Sequence, residues 1–387
     1  MEQKQPLKIL QVASHRAATR GGAVQMILLA RGLRERGHDV HCVFHRPIAE
    51  PETQRRGFLH SVADLSPRLF NLNSAIALWR FRRWVCDEEF DVIHSHRDPA
   101  LRFCFLATLG LSVPVFVTQR GTVYRLPRWG IVRWAFRSRK LDRVIAVAEA
   151  VRRSLIEKDR LPPGRIEVVY GGYDSARFHR GVSGESVRFE FMLSADVPVV
   201  GIVGALVGKK GHADFFDAAA RIVPRLPAVR FMVVGEGKPE RFADLLERLG
   251  LSQHVIFTGH RDDMPEVLAA LNVLVCASTK GEGLTGSLRE AMAVGTPVVT
   301  TDVAGNTELV IHERTGLVVP IAAVDAMADA VLRLLVDRED AKRICNAAAE
   351  YVRGLCLNSN RCKQIEEIYS AIFAGKRAQR KPENEFL

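Results

Sequence analysis

Short apolar runs alternate with amphipathic stretches along almost the whole chain. Lys8–Ser14 (KILQVAS) predicts a strand, and Gly21-Gly22 form a loop after it. From Ala23 to Arg36 apolar residues recur at Val24, Ile27, Leu28 and Leu33, the spacing of a helix face, until Gly37 stops it. His41–Phe44 is the next predicted strand, which makes a βαβ unit with glycines at its first strand-to-helix turn. Further strands are predicted at Val92–His94, Val115–Thr118, Val144–Val147 and Glu167–Tyr170, with helical patterns between them. The alternation then restarts. Val199–Val203 predicts a strand, followed by the loop Gly208–Gly211 and a helix from Ala213 to Val223. Strands follow at Phe231–Val234 (ending in Gly235-Glu236-Gly237), Val255–Phe257, Val273–Cys276, Val298–Thr300 and Gly316–Val319. Helical patterns again lie between them, and the chain is mostly helical from Ala322 on.

Two successive runs of alternating β and α predict an α/β protein with two Rossmann-like, doubly wound parallel sheets, each binding ligands outside the carboxyl ends of its strands. The polar stretch Arg180–Arg188 reads as the linker. This sets domains at 1–180 and 181–370 facing an interdomain cleft, with a C-terminal tail at 371–387. A length of 387 residues suits two domains, and 47% hydrophobic with 26% charged residues excludes disordered and collagen-like chains. The seven cysteines have no CxxC spacing and read as reduced thiols of a cytoplasmic protein. The N-terminal apolar run is too short for a secretory signal, and no stretch reaches the ~18 apolar residues of a membrane span.

The candidate chemistry centres on Lys280–Pro297 (KGEGLTGSLREAMAVGTP), where Glu282 and Glu290 are eight apart around a Gly-Leu-Thr-Gly turn. Ser287 and Glu290 have the spacing of a capping box, which would leave free N–H groups and the positive helix end pointing out of the turn. A diphosphate is stabilised at such an end, with a carboxylate on each side to accept sugar hydroxyls. In the plainer reading Glu290 caps its helix and Glu282 is solvated.

The wider wording, EGLTGSLREAMAVGTPVVTTDVAGNTELVIHERTGLVVP, resembles the donor-binding region of retaining glycosyltransferases of family four, which have the two-domain GT-B fold. Gly21-Gly22, DVIHSH at Asp91–His96, DRVIAVAEAVRRSL at Asp142–Leu155, EVVYGGYDSARF at Glu167–Phe178, GALVGKKGH at Gly204–His212 and FMVVGEG at Phe231–Gly237 extend the resemblance in the family's order. The resemblance implies that Glu290 binds the ribose of a nucleotide sugar and Glu282 contacts the donor sugar. Gly283, Leu284 and Thr285 approach sugar and phosphates, and Lys210 pairs with the diphosphate to stabilise the leaving group. It further implies that Gly235, and the Thr258–Arg261 loop with His260 and Arg261, belong to the donor side. Gly21-Gly22 would close over the phosphate, and His96 would lie on the acceptor side. The chain departs from the pattern in three places. Ala205 stands where the family has a phosphate-binding arginine, with Lys209 as the partial replacement. Arg120 stands where a histidine is usual, able to hold a sugar hydroxyl or a phosphorylated acceptor. Ala148 and Gly171 replace a frequent serine and asparagine. The family reading calls for no cofactor and no metal, and no DxD motif or His/Cys cluster of ligand spacing is evident.

The net charge of +11 is uneven: residues 1–187 carry +13 and residues 188–387 carry −2. Arg120–Arg143 has eight basic residues against Asp142 alone. With Trp79–Trp84, that segment contains all four tryptophans. Arginine interleaved with aromatics suits an anionic lipid surface, with nucleic acid as the weaker partner. In a plainer reading the aromatics are core and the arginines solvated. The expectation is a metal-independent retaining transferase, peripheral on the inner face of the cytoplasmic membrane. It would move a sugar from a nucleotide sugar to a lipopolysaccharide-core or other envelope glycan or glycolipid. A nucleotide-sugar epimerase or hydrolase on the same fold, or a degenerate donor-binding subunit, are the alternatives.

Overall fold

The computed structural model describes residues 5–14, 21–44, 59–61 and 72–380. The chain divides into two compact units, Met1–Gly172 with Asn358–Leu387, and Tyr173–Leu357.

Among the described residues the first unit is built on a seven-stranded parallel sheet: β1 (Lys8–Ala13), β2 (Asp39–Phe44), β3 (Leu59–Ser61), β4 (Val92–His96), β5 (Val115–Arg120), β6 (Arg143–Ala146) and β7 (Ile166–Val168), in the order β3-β2-β1-β4-β5-β6-β7. Strands covered on both faces read as continuous apolar runs rather than alternating ones, as in β1, where every residue after Lys8 is buried. The helix Gly21–Glu35 begins two residues before the predicted start and buries Ala23, Met26, Leu29, Ala30 and Leu33 at helical spacing.

The second unit holds a six-stranded parallel sheet: β8 (Val199–Val203), β9 (Arg230–Val234), β10 (Val255–Gly259), β11 (Val273–Cys276), β12 (Val298–Thr301) and β13 (Leu317–Val319), ordered β10-β9-β8-β11-β12-β13. Phe215, Phe216, Ala219 and Ile222 of the helix His212–Ile222 pack with Met327, Val331 and Leu334 of the helix Val324–Val336 in its core. Every predicted strand appears within two residues of its expected position, and β3 is an addition.

The domain boundaries differ from the sequence reading. The helix Asn358–Arg380, expected to be split between the second domain and a tail, belongs to the first unit. Its Cys362, Ile365, Tyr369 and Ile372 join the core of β1 and the helix Gly21–Glu35. Gly32 permits the approach, because a Cβ there would lie 2.5 Å from Cys362 Sγ. Arg36 Nε also donates to Glu366 at 2.6 Å. The supposed linker is ordered structure of the second unit: Arg188 donates to the carbonyls of Ala270 and Val197 and to Asn272 Oδ1. Most of the stretch is exposed, but Gly184 and Val187 are buried and Arg188 is bonded into the unit, which is why composition misplaced the boundary.

Candidate active site

In a doubly wound sheet the ligand crevice lies where the strand order reverses. In the second unit this is between β8 and β11, whose carboxyl ends lead into Gly204-Ala205 and Ala277-Ser278. The loops there are tied through the main chain. Gly204 N–H donates to Val234 O, Leu206 N–H to Glu236 O and Gly235 N–H to Gly259 O, each at 2.8 Å, and Thr279 N–H donates to Lys209 O at 2.9 Å. Gly235, at φ +149°, is required by closeness: a Cβ would lie 2.2 Å from Gly204 O.

These ties bring together the residues expected from the sequence. Lys210 runs its stem past Gly204 and places Nζ 3.0 Å from Glu282 Oε1, while Lys209 Nζ lies 3.7 Å from the same oxygen. Glu282 is 12% exposed and Lys210 19%. Oε1 accepts no hydrogen bond, so these are ion-pair contacts alone. One carboxylate oxygen thus sits against two ammonium groups. Next to them His212 is buried against the main chain of Gly204. Burial first, and Lys210 second, push its pKa down to about 4 and keep the ring neutral at pH 7.

The predicted capping box is not formed. The helix Gly286–Val294 has Thr285 at its N-cap, without a side-chain cap bond, and Ser287 and Glu290 lie inside the helix. Thr285 is buried and donates its hydroxyl to Asn306 Oδ1 at 2.7 Å. Asn306 Nδ2 in turn donates to Thr300 Oγ1 at 3.1 Å. The first-turn N–H groups, which a helix cannot satisfy internally, are therefore left without a capping side chain. Gly283 and half-buried Leu284 precede this turn, and Gly283 O abuts Gly305. Glu290 has Arg289 Nη2 3.6 Å from its Oε1, and its side chain keeps 19% exposure. Burial raises its pKa, with Arg289 and Arg177 opposing.

On the loop after β10, Arg261 is held by carboxylates. Its guanidinium donates to both oxygens of Glu190 and of Asp263 and lies 5.7 Å from the Phe191 ring. These partners hold its pKa up. His260 is exposed, with Nε2 3.2 Å from Asp262 Oδ1. In the first unit Gly21 and Gly22 are exposed at the start of their helix. His96 is buried and stacked 4.3 Å from His94, with Nε2 3.2 Å from Gln11 Oε1. Arg120 is also buried: it donates to Asp98 Oδ1 and Tyr124 O, which fixes the guanidinium within its own unit. Sequence reasoning missed Asn306, Gly305 and Arg289. Arg289 carried a signal, a cation among Leu288, Ala291, Met292 and Ala293, all of which are buried.

The family model described as glycosyltransferase family 4 matches residues 19–177, and the group 1 glycosyl transferase model matches residues 197–337. The chain belongs to the group 1, family four glycosyltransferases. Its two parallel-sheet units have the GT-B fold. It is 28% identical over 254 residues to the putative glycosyltransferase YtcC of Bacillus subtilis, covering 62% of each chain. It is 29% identical to alpha-maltose-1-phosphate synthase of Mycolicibacterium smegmatis, over 87% of this chain and 91% of that one. A third relative, 24% identical over 77% of this chain and 78% of its own, is the UDP-Gal:alpha-D-GlcNAc-diphosphoundecaprenol alpha-1,3-galactosyltransferase of Escherichia coli. The chain spans less than two thirds of the first relatives it matches, 62% and 55% of their lengths. Among solved structures, a glycosyltransferase from Rickettsia africae superposes with a TM-score of 0.84 at 21% identity, over 95% of this chain and 99% of that one. Anabaena HepE in complex with UDP and glucose gives 0.80 at 21%, over 94% and 99%.

Proposed function

We propose that this glycosyltransferase moves a sugar from a nucleotide sugar to a membrane-associated envelope glycan, with retention of configuration. The observation that carries the reading is the pairing of Lys210 and Glu282 at 3.0 Å beside an uncapped helix N-terminus. A nucleotide sugar presents an anionic diphosphate and sugar hydroxyls a few bonds apart, and an adjacent cation and carboxylate match that arrangement. In the reaction Glu282 accepts hydroxyl hydrogen bonds from the donor sugar and holds it in place. Lys210 and the first-turn N–H groups stabilise charge growing on the leaving diphosphate. The acceptor hydroxyl attacks the anomeric carbon on the face the nucleotide leaves, and the bond from that carbon to the diphosphate oxygen breaks. The acceptor proton passes to the departing oxygen, while Glu290 holds the ribose. Charge stabilisation by protein groups is sufficient for this scheme, and no metal is called upon. The nucleotide donor draws support from HepE with UDP and glucose, and the lipid-linked acceptor from the Escherichia coli relative.

The basic first unit supports a membrane-borne, anionic acceptor. Trp129 is 86% exposed, Trp79 59%, Trp134 53% and Tyr124 46%, so these rings are surface groups among arginines rather than core. Among the described residues no helix is long and apolar enough to cross a membrane. Incubation with radiolabelled nucleotide sugars and envelope extracts tests the reading. Labelled glycan is the expected product. Nucleotide release without glycan favours a hydrolase, and binding without turnover a degenerate subunit. If Glu290→Ala leaves donor affinity unchanged, the donor site is misassigned.

A further inference from the structure

Arg289 is a buried cation that its own surroundings do not satisfy. Its side chain is 3% exposed, and among the described residues Nε has no hydrogen-bond partner. Its ion pair is with Glu290, Nη2 to Oε1 at 3.6 Å, too long for a hydrogen bond. A guanidinium removed from water is costly unless paired and hydrogen-bonded. The position of the group shows what it faces. Helical side chains lean toward the N-terminus, and Arg289 reaches back over the first turn of the nine-residue helix Gly286–Val294. A Cβ on Gly286 would lie 3.3 Å from Nη2 and 3.6 Å from Glu290 Oε1, so the glycine keeps that space open. Uncapped N–H groups, the positive helix end and an unsatisfied guanidinium therefore meet at one place, and all three attract an anion.

We propose that Arg289 is a donor-binding residue whose guanidinium takes a phosphate oxygen of the nucleotide sugar at the first turn of its helix. This rests on the transfer reading above and adds a residue to it. With Lys210 it makes a pair of phosphate cations, supplying from the helix the charge that Ala205 does not provide. The order of groups fits a nucleotide: Glu290 for the ribose and Arg289 for the phosphate are consecutive residues, as ribose and phosphate are bonded neighbours. The planar fork of arginine can donate two hydrogen bonds to one phosphate, which an ammonium cannot.

Calorimetric titration with UDP, GDP, ADP and dTDP first identifies the preferred base. The matching diphosphate, monophosphate and nucleoside are then titrated into wild type, Arg289→Gln and Arg289→Lys. Loss of a charged hydrogen bond weakens the diphosphate by roughly 10- to 100-fold in Arg289→Gln, with the nucleoside within about threefold of wild type. Equal losses for diphosphate and nucleoside would mean that Arg289 acts through Glu290 alone and overturn the proposal. Unchanged affinities would overturn it as well. If Arg289→Gln lacks the wild-type circular dichroism spectrum, Arg289→Lys is judged by the same diphosphate-to-nucleoside ratio. A wild-type chain that binds none of the four diphosphates overturns both this proposal and the transfer reading.

Discussion

Gly305→Ala is a sharp test of how the donor loop is held. Gly305 has φ +93° and ψ −38°, a combination closed to residues with a Cβ. A Cβ there would lie 1.8 Å from Gly283 O and 2.6 Å from Gly283 C, roughly half an ordinary contact. Both are main-chain atoms and cannot turn aside, so the Glu282–Thr285 loop must shift by about 1.5 Å or more. The backbone strain costs about 1–3 kcal/mol, and with the displaced loop we expect ~2–4 kcal/mol in all. For a unit of this size that lowers Tm by roughly 5–15 °C. A misplacement of about 1 Å at a reacting group costs on the order of 100-fold in kcat/KM. Gly250→Ala is the control, since Gly250 has φ +68° but nothing within 4 Å of its Cβ position. It carries a milder left-handed strain and meets no neighbour. Calorimetric unfolding and transfer kinetics on both variants compare the clash and closed backbone region at Gly305 with ordinary left-handed strain alone. A Gly305→Ala protein no less stable or active than Gly250→Ala would refute the reasoning.

Lys210→Gln should lower kcat by about 10²–10³-fold, as for a lost oxyanion donor. An unchanged kcat would remove it from the chemistry. Tyr369→Phe deletes the hydroxyl 2.6 Å from His94 Nδ1 inside the first unit. Denaturant unfolding should show a loss of about 1–3 kcal/mol for the stranded imidazole, and a loss below ~0.5 kcal/mol would show the bond to be dispensable. Acid should destabilise both units. Burial lowers the His94 pKa to about 3, with Arg361 adding to it, and the His212 pKa to about 4, against an ordinary 6.5. The unfolded chain therefore takes up these protons first. The stabilisation is full above pH 6.5 and declines as pH falls toward 4 and 3, by about 2 kcal/mol per histidine at pH 5. Equal losses between pH 7.5 and 5 in wild type and His94→Gln would rule out this origin. Finally, the chain should float with anionic liposomes at low salt, and Trp129→Ala with Trp134→Ala should weaken it. Flotation that ignores salt and both substitutions would rule out the basic aromatic surface.

Much of the proposed donor site was legible because its chemistry is local in sequence. Glu282 and Glu290 flank one turn, and Lys210 lies between glycines that mark a tight loop. Arg261 was legible as a cation on the right loop, but not its partner Glu190, a distant residue in sequence. Ser287 and Glu290 have capping-box spacing, yet the helix begins two residues earlier than that box requires and Thr285 turns its hydroxyl to Asn306. A local motif cannot register that competing hydrogen bond. Trp129 and Phe136 belong to the same basic aromatic segment, and one is at the surface while the other is buried.

By itself, the sequence determined the two α/β runs, nearly every strand, the family, and the uneven charge. Strand and helix periodicity, glycine placement and charge are properties of neighbouring residues. Tertiary structure decided that the last helix packs in the first unit, because Cys362, Ile365 and Tyr369 find their apolar partners in Leu29, Leu33 and β1. It also decided what each arginine faces. Arg120 and Arg261 end on carboxylates, while Arg289 is left facing an open helix end. Burial and pairing depend on atoms far apart along the chain, and they separate a structural cation from one available to a ligand.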